Sequence, residues 1–70
     1  MKDKIKIKGN RIKEVLKQKN MSQQELADKC GISKHHLSMI VNNKKPNLSV
    51  PIALKISKAL KTNIDDLFII

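Results

Sequence analysis

Two helix-start signals on either side of one glycine constrain this chain more than any other feature. Ser22 and Glu25 have the spacing of a capping box, in which each side chain binds the other residue's backbone N–H. Gly31 is a helix stop, because a residue without Cβ adopts positive φ without steric cost. Ser33 then caps a second helix two residues later. The pattern therefore predicts two short helices joined by a turn of about three residues.

Further helix signals flank this pair. Asn10 is placed to cap a helix over 11–19. Ser49 precedes a helix that carries Pro51 in its first turn, where the missing N–H does little harm. Asn63 precedes a short last helix whose first turn is acidic, which complements the helix dipole. Together these signals predict an all-α fold of five helices.

The N-terminal segment 1–9 has a different pattern. Lys4 to Lys8 alternates lysine with isoleucine at period two. That alternation is typical of a short strand with one buried face, and it equally suits a flexible basic arm. The sequence does not decide between a strand and an arm.

The charge balance points to a polyanionic partner. Lys and Arg number 15 against 6 Asp and Glu, so the net charge is +9. Phe68 is the only Phe, Trp or Tyr, which disfavours a single-strand binder that stacks bases on aromatic rings. No stretch approaches the roughly 18 apolar residues of a membrane span. Cys30 is the only cysteine, so we expect a reduced, cytoplasmic protein with no membrane partner.

The same composition gives no sign of catalysis. A chain of 70 residues predicts a single domain over 1–70 with little interior for a shielded active site. It has no Gly-rich phosphate loop and no nucleophile with a base and an orienting partner. His35 and His36 diverge by roughly 100° on a helix, and no acid or cysteine at ligand spacing joins them. We expect no enzyme activity, no cofactor and no metal site, no small-molecule effector is evident from the sequence, and we take Cys30 as a core thiol.

The stretch from Gln23 to Asn42 resembles the helix-turn-helix of the phage repressor and Cro-like (XRE) family. That family's small, turn and core positions are occupied by Ala27, Gly31, Ile32, Leu37 and Ile40. The similarity continues through 54–60 and 63–67, which look like the family's fourth and fifth helices. The resemblance implies a five-helix lambda-repressor-like DNA-binding domain whose motif spans 23–42.

The resemblance has local departures. Asn43 and Lys61 stand where Gly is common in the family, and positive φ at Lys61 would be strained. Lys34 and the His35–His36 pair are less common than Gln, Ser or Arg at the base-reading positions. These differences affect the DNA sequence that would be read and not the fold.

The resemblance also implies a division of roles along the motif. A recognition helix over 33–42 would lie in the major groove of double-stranded DNA. The base-reading residues on its outer face would be Ser33, Lys34, His35, Ser38 and Met39. By the same resemblance, Gln23 and Asn42 would bind phosphates, and the loop lysines Lys44 and Lys45 are the next candidates.

We expect a transcriptional regulator, with repression favoured over activation, acting as a two-fold homodimer on a palindromic site. The half-sites would be roughly 34–36 Å apart. The apolar tail, Phe68, Ile69 and Ile70, is the candidate dimer contact. It could instead fold back on its own core beside the Lys4–Lys8 segment.

Two other functions stay open. A protein-interaction module, such as an antitoxin, would keep this fold and bind an acidic or apolar partner surface. A non-specific nucleic-acid binder would show the same steep salt dependence with no preference among sequences.

Overall fold

The computed structural model describes residues 4–45 and 47–70 and has the five expected helices. They are α1 (Ile12–Gln18), α2 (Gln23–Cys30), α3 (Lys34–Val41), α4 (Val50–Leu60) and α5 (Ile64–Leu67). Their ends lie close to the predicted positions, although α1 begins one residue later than expected. Residues 1–3 of the predicted arm and Pro46 in the predicted loop lie outside the described residues.

The caps on either side of Gly31 are confirmed. The Glu25 N–H donates to Ser22 Oγ at 3.1 Å, and the Ser22 N–H donates to Glu25 Oε1 at 3.2 Å. Ser33 Oγ accepts from the His36 N–H at 3.0 Å. Gly31 has φ 69°, in the left-handed region. The angle between α2 and α3 is therefore set by local hydrogen bonds at the turn.

The first four helices all end on a left-handed residue with the same pair of backbone hydrogen bonds. After α3, for example, the Asn43 N–H donates to Ile40 O at 3.1 Å and the Lys44 N–H to Met39 O at 2.8 Å. This pairing is the Schellman motif. The left-handed residues are Asn20, Gly31, Asn43 and Lys61. Asparagine tolerates this conformation, whereas Lys61 at φ 51° adopts it against the preference of its side chain.

One hydrophobic core joins the helices. The apolar stripe of each helix is buried, as the predicted periodicity requires. α2 lies at the centre, because it packs against both α3 and α4. The fully buried large side chains are Ile12, Leu26, Leu37, Leu48, Ile56, Leu60 and Leu67.

In the described part of the chain, four short strands accompany the helices, so the fold is mostly helical rather than purely α. β1 (Lys4–Lys6) pairs antiparallel with β3 (Asn47–Ser49), with Ile5 opposite the buried Leu48. In the described part of the N-terminal segment the open choice is thus decided in favour of a strand. Ile5 and Ile7 pack against the core while Lys4, Lys6 and Lys8 are exposed, as the alternation requires.

The second strand pair changes the interpretation of the apolar tail. β2 (Gly9–Asn10) pairs antiparallel with β4 (Phe68–Ile69). Phe68 is only 2 % exposed and belongs to the protein's own core. Its prediction as a dimer contact is therefore corrected, because the tail folds back as the alternative proposed. Ile69 and Ile70 remain 45 % and 58 % exposed.

Candidate nucleic-acid interface

The two faces of α3 differ as the sequence pattern predicts. Leu37, Ile40 and Val41 are buried in the core. The five predicted base-reading residues lie on the remaining surface of the helix. Ser33, Lys34 and His35 are exposed, and Ser38 and Met39 are half-buried. Burial of one face against α2 thus fixes which side chains a partner can contact.

Two of these side chains already have partners within the helix. Ser33 Oγ accepts the capping bond from His36, which leaves its own O–H free to donate. Ser38 Oγ accepts from Asn42 Nδ2 at 3.2 Å. The side chains of Lys34, His35 and Met39 take no part in these bonds.

The predicted phosphate-binding residues fall into two groups. Asn42, Lys44 and Lys45 follow α3 directly, and the Lys44 N–H bond to Met39 O folds this loop over the end of the helix. The loop and the C-terminal half of α3 therefore form one continuous surface. Gln23 is not part of that loop: it is the half-buried first residue of α2.

Asn10 connects the loop after α3 to the rest of the fold. Its Nδ2 lies 3.1 Å from Ile40 O and 3.2 Å from Val41 O, the last carbonyls of α3. The same Nδ2 lies 3.0 Å from Asn43 Oδ1, in the left-handed turn. Sequence reasoning identified Asn10 only as a cap, and its Oδ1 does accept from the Ile12 N–H at 3.0 Å. The contacts to α3 span 30 to 33 residues, and no local signal indicates them.

The only arginine is also used within the fold. Arg11 Nη1 donates to Asp66 O at 3.3 Å, and the Arg11 N–H donates to Leu67 O at 2.7 Å. These bonds tie the start of α1 to α5. Within α3 and the loop after it, the Lys and Arg positions are all lysines, which bind phosphate as point charges rather than through a planar fork.

Cys30 is buried at the end of α2, in agreement with its prediction as a core thiol. Burial raises the pKa of the Cys30 thiol, and the positive charge of Lys55 partly opposes that rise. Within residues 4–45 and 47–70, no three His, Cys, Asp or Glu side chains are placed to hold a metal ion. In the same residues, no helix has the length and apolar character needed to cross a membrane.

A family model described as helix-turn-helix matches residues 12–67. The chain belongs to this family. The match covers α1 to α5 and confirms the resemblance to the phage repressor and Cro-like helix-turn-helix family. Its members are non-enzymatic DNA-binding regulators, which agrees with the expectation that the chain is not an enzyme.

The curated relatives include the transcriptional regulator SinR. SinR of Bacillus subtilis (strain 168) and SinR of Bacillus licheniformis are each 39 % identical to this helix-turn-helix chain over 59 residues. The aligned region is 84 % of this chain and 53 % of each relative. The chain thus spans about half the length of the curated relatives it matches.

Solved structures of SinR have the same fold as this chain. A crystal structure of SinR, the master regulator for biofilm formation, in complex with DNA superposes with a TM-score of 0.72 at 38 % identity. The match covers 79 % of this chain and 87 % of that one. A complex of SinR with SinI protein also has a TM-score of 0.72, at 39 % identity over 77 % of this chain and 52 % of that one. These values confirm the five-helix lambda-repressor-like fold.

Proposed function

We propose that this chain binds specific sequences of double-stranded DNA as a two-fold homodimer and regulates transcription, by repression rather than activation. One observation carries the proposal: α3 exposes its predicted reading face on a domain with the fold of SinR, which was crystallised with DNA. A net charge of +9 supplies the attraction to phosphate. Such a regulator acts in the cytoplasm, where the chromosome lies in a bacterium.

The exposed side chains of α3 offer chemistry suited to base edges in the major groove. The Lys34 ammonium donates to acceptors such as guanine O6 and N7. The Met39 side chain offers an apolar contact to the thymine methyl group. Ser33 and His35 add hydrogen-bonding groups beside Lys34 in the first turn. Since Ser38 Oγ is engaged by Asn42, its contact to a base uses its hydroxyl hydrogen.

Phosphate binding would use two separate elements. Gln23 at the start of α2 would bind one strand of the duplex, and the loop with Asn42, Lys44 and Lys45 would bind the backbone beyond α3. This arrangement brackets the recognition helix and fixes its register in the groove. Because lysine contacts release counterions, affinity falls steeply with salt, by a log–log slope of about −0.9 per phosphate neutralised.

Dimerisation would extend the contact to two half-sites. One module of this size buries only about 600–1,000 Å² on DNA, which limits affinity and specificity. Ile69 and Ile70 are the exposed apolar residues of the tail, and a partner copy would cover them. Placing two α3 helices roughly 34–36 Å apart would match one helical turn of DNA.

The test is selection of binding sites from a random duplex pool, followed by salt titration on the selected and a scrambled duplex. We expect a palindrome bound about 10³-fold or more tightly than scrambled DNA. Lys34→Ala should relax discrimination at one base position, whereas Gln23→Ala should weaken all sequences alike. Lys13→Ala, an exposed change on α1, controls for the loss of one charge. Equal binding of both duplexes would overturn specific recognition and leave a non-specific binder.

A second candidate is a module that binds another protein. The structure of SinR with SinI protein favours this candidate, because it shows a relative of this family in a protein complex. That match covers 52 % of the SinR chain. Pull-down from the native cell, with a partner whose binding is insensitive to salt, would support this function over DNA binding.

A further inference from the structure

One concave surface of the described residues has no lining residue from α3. It is a groove of about 420 Å³ between the C-terminal parts of α2 and α4. Four lysines and one alanine line it: Lys29, Lys55, Lys58, Lys61 and Ala59. Its volume lies within the range of small-ligand sites, about 300–1,000 Å³, but the groove is open to solvent rather than enclosed.

The positive charge of these four lysines exceeds the partial negative charge of the helix ends beside them. α2 and α4 both end at this groove, and each C-terminus carries roughly half a negative charge. Two helix ends therefore offset about one of the four lysine charges, which leaves about three. No acidic residue from 4–45 or 47–70 lines the groove. The neighbouring Asp28 accepts a hydrogen bond from Gln24 at 2.9 Å, one turn back along α2.

The position of the groove separates it from the phosphate contacts proposed above. Lys29 lies six residues after Gln23, about 9 Å along the axis of α2. Lys55 and Lys58 lie about 8 and 12 Å along α4 from its first residue, which follows the loop after α3. Gln23 and that loop are thus at the N-terminal ends of the two helices, and the groove is at their C-terminal ends.

A concave site with one sign of charge concentrates the electric field and attracts counter-ions of high charge density. Lysine ammonium groups bind phosphate oxygens as compact point charges. A polyphosphate brings several charges into a small volume, whereas an acidic peptide spreads one charge per residue. We propose that the Lys29–Lys55–Lys58–Lys61 groove binds a soluble ligand with two or more adjacent phosphate groups. The proposal does not depend on DNA binding by α3.

The test is calorimetric titration of the whole chain with sodium tripolyphosphate, together with amide NMR shifts. The groove variant is Lys55→Gln/Lys58→Gln, and the matched control is Lys13→Gln/Lys19→Gln. All four positions are exposed, so both variants lose the same charge without touching the core. We expect saturable binding, with the shifts centred on Lys29 and residues 55–61.

The groove variant should bind at least about tenfold more weakly, since it removes two of the four ammonium groups that face the phosphates. The control should weaken binding only through its change in net charge, by a much smaller factor. Equal weakening in the two variants would show general attraction to a basic protein and overturn the site. Non-saturable shifts would do the same. A last experiment adds duplex DNA in place of tripolyphosphate. If the amide NMR signals of the groove residues shift with DNA but not with tripolyphosphate, the groove binds the nucleic-acid backbone and the soluble ligand is refuted.

Discussion

Removal of the Asn10 side chain should destabilise the fold far more than removal of an exposed amide such as that of Gln24. Nδ2 has two N–H groups and three acceptors within 3.2 Å, so it sustains at most two full-strength hydrogen bonds. At about 0.5–1.5 kcal/mol each, these contribute about 1–3 kcal/mol. Loss of the Oδ1 bond to the Ile12 N–H adds about 1 kcal/mol at the start of α1. Asn10→Ala should therefore lower the free energy of unfolding by about 2–4 kcal/mol.

Urea unfolding monitored by circular dichroism measures this change. A domain of this length has a total stability of roughly 4–10 kcal/mol, and a loss of 2 kcal/mol lowers the melting temperature by about 8 °C or more. Gln24→Ala is the matched control, because it also removes one amide, here bonded to Asp28 on the exposed face of α2. That control should cost at most about 0.5 kcal/mol. Equal losses in the two variants would refute the contacts assigned to Asn10.

A double-mutant cycle isolates the bond that reaches the turn after α3. Asn43→Gly removes the acceptor while relieving the left-handed backbone at φ 60°, so strain does not confound the result. Combined with Asn10→Ala, the cycle should give a coupling of about 0.5–1.5 kcal/mol. Additive losses would show that the Asn10–Asn43 bond contributes nothing to stability.

Three further changes test local features. Ser22→Ala should lower the free energy of unfolding in urea by about 1 kcal/mol, because the Ser22 side chain caps α2 at the Glu25 N–H. Ser49→Ala should cost far less, because Ser49 makes no side-chain cap bond to α4. Equal costs would contradict this difference. Lys61→Gly should raise the melting temperature, because glycine relieves about 1 kcal/mol of backbone strain at this left-handed position. An unchanged or lower melting temperature would show that the position is unstrained. Because burial raises the pKa of Cys30 above its ordinary value of 9.0, the folded chain holds this proton more tightly than the unfolded chain. The stabilisation that comes from this raised pKa is complete below the ordinary pKa of the thiol and is lost as pH rises through the folded pKa. The free energies of unfolding of the wild type and of Cys30→Ala should therefore converge at alkaline pH.

The helices could be predicted because their starts and stops are local. A serine, a glutamate three residues later and a glycine at the end specify α2 without any long-range contact. The reading face of α3 follows from the same logic, since period 3.6 separates buried from exposed positions. Among the strands of the described residues, β1 has the period-two pattern of a strand, but β2, β3 and β4 could not be predicted with such local rules. β2 and β4 have two residues each and pair across about sixty residues, so neither shows periodicity.

The proposed DNA-binding surface depends on these long-range strand contacts as well as on α3 itself. Charge composition indicates a polyanionic partner but does not show where lysines gather, and the groove between α2 and α4 appears only in the folded chain. The loop with Lys44 and Lys45 is held through Asn43 by Asn10. Asn10 lies in β2, opposite Phe68, whose side chain is anchored in the core. The position of the proposed phosphate-binding loop is therefore set partly by the terminal strands, because they hold the residue that fixes the end of α3.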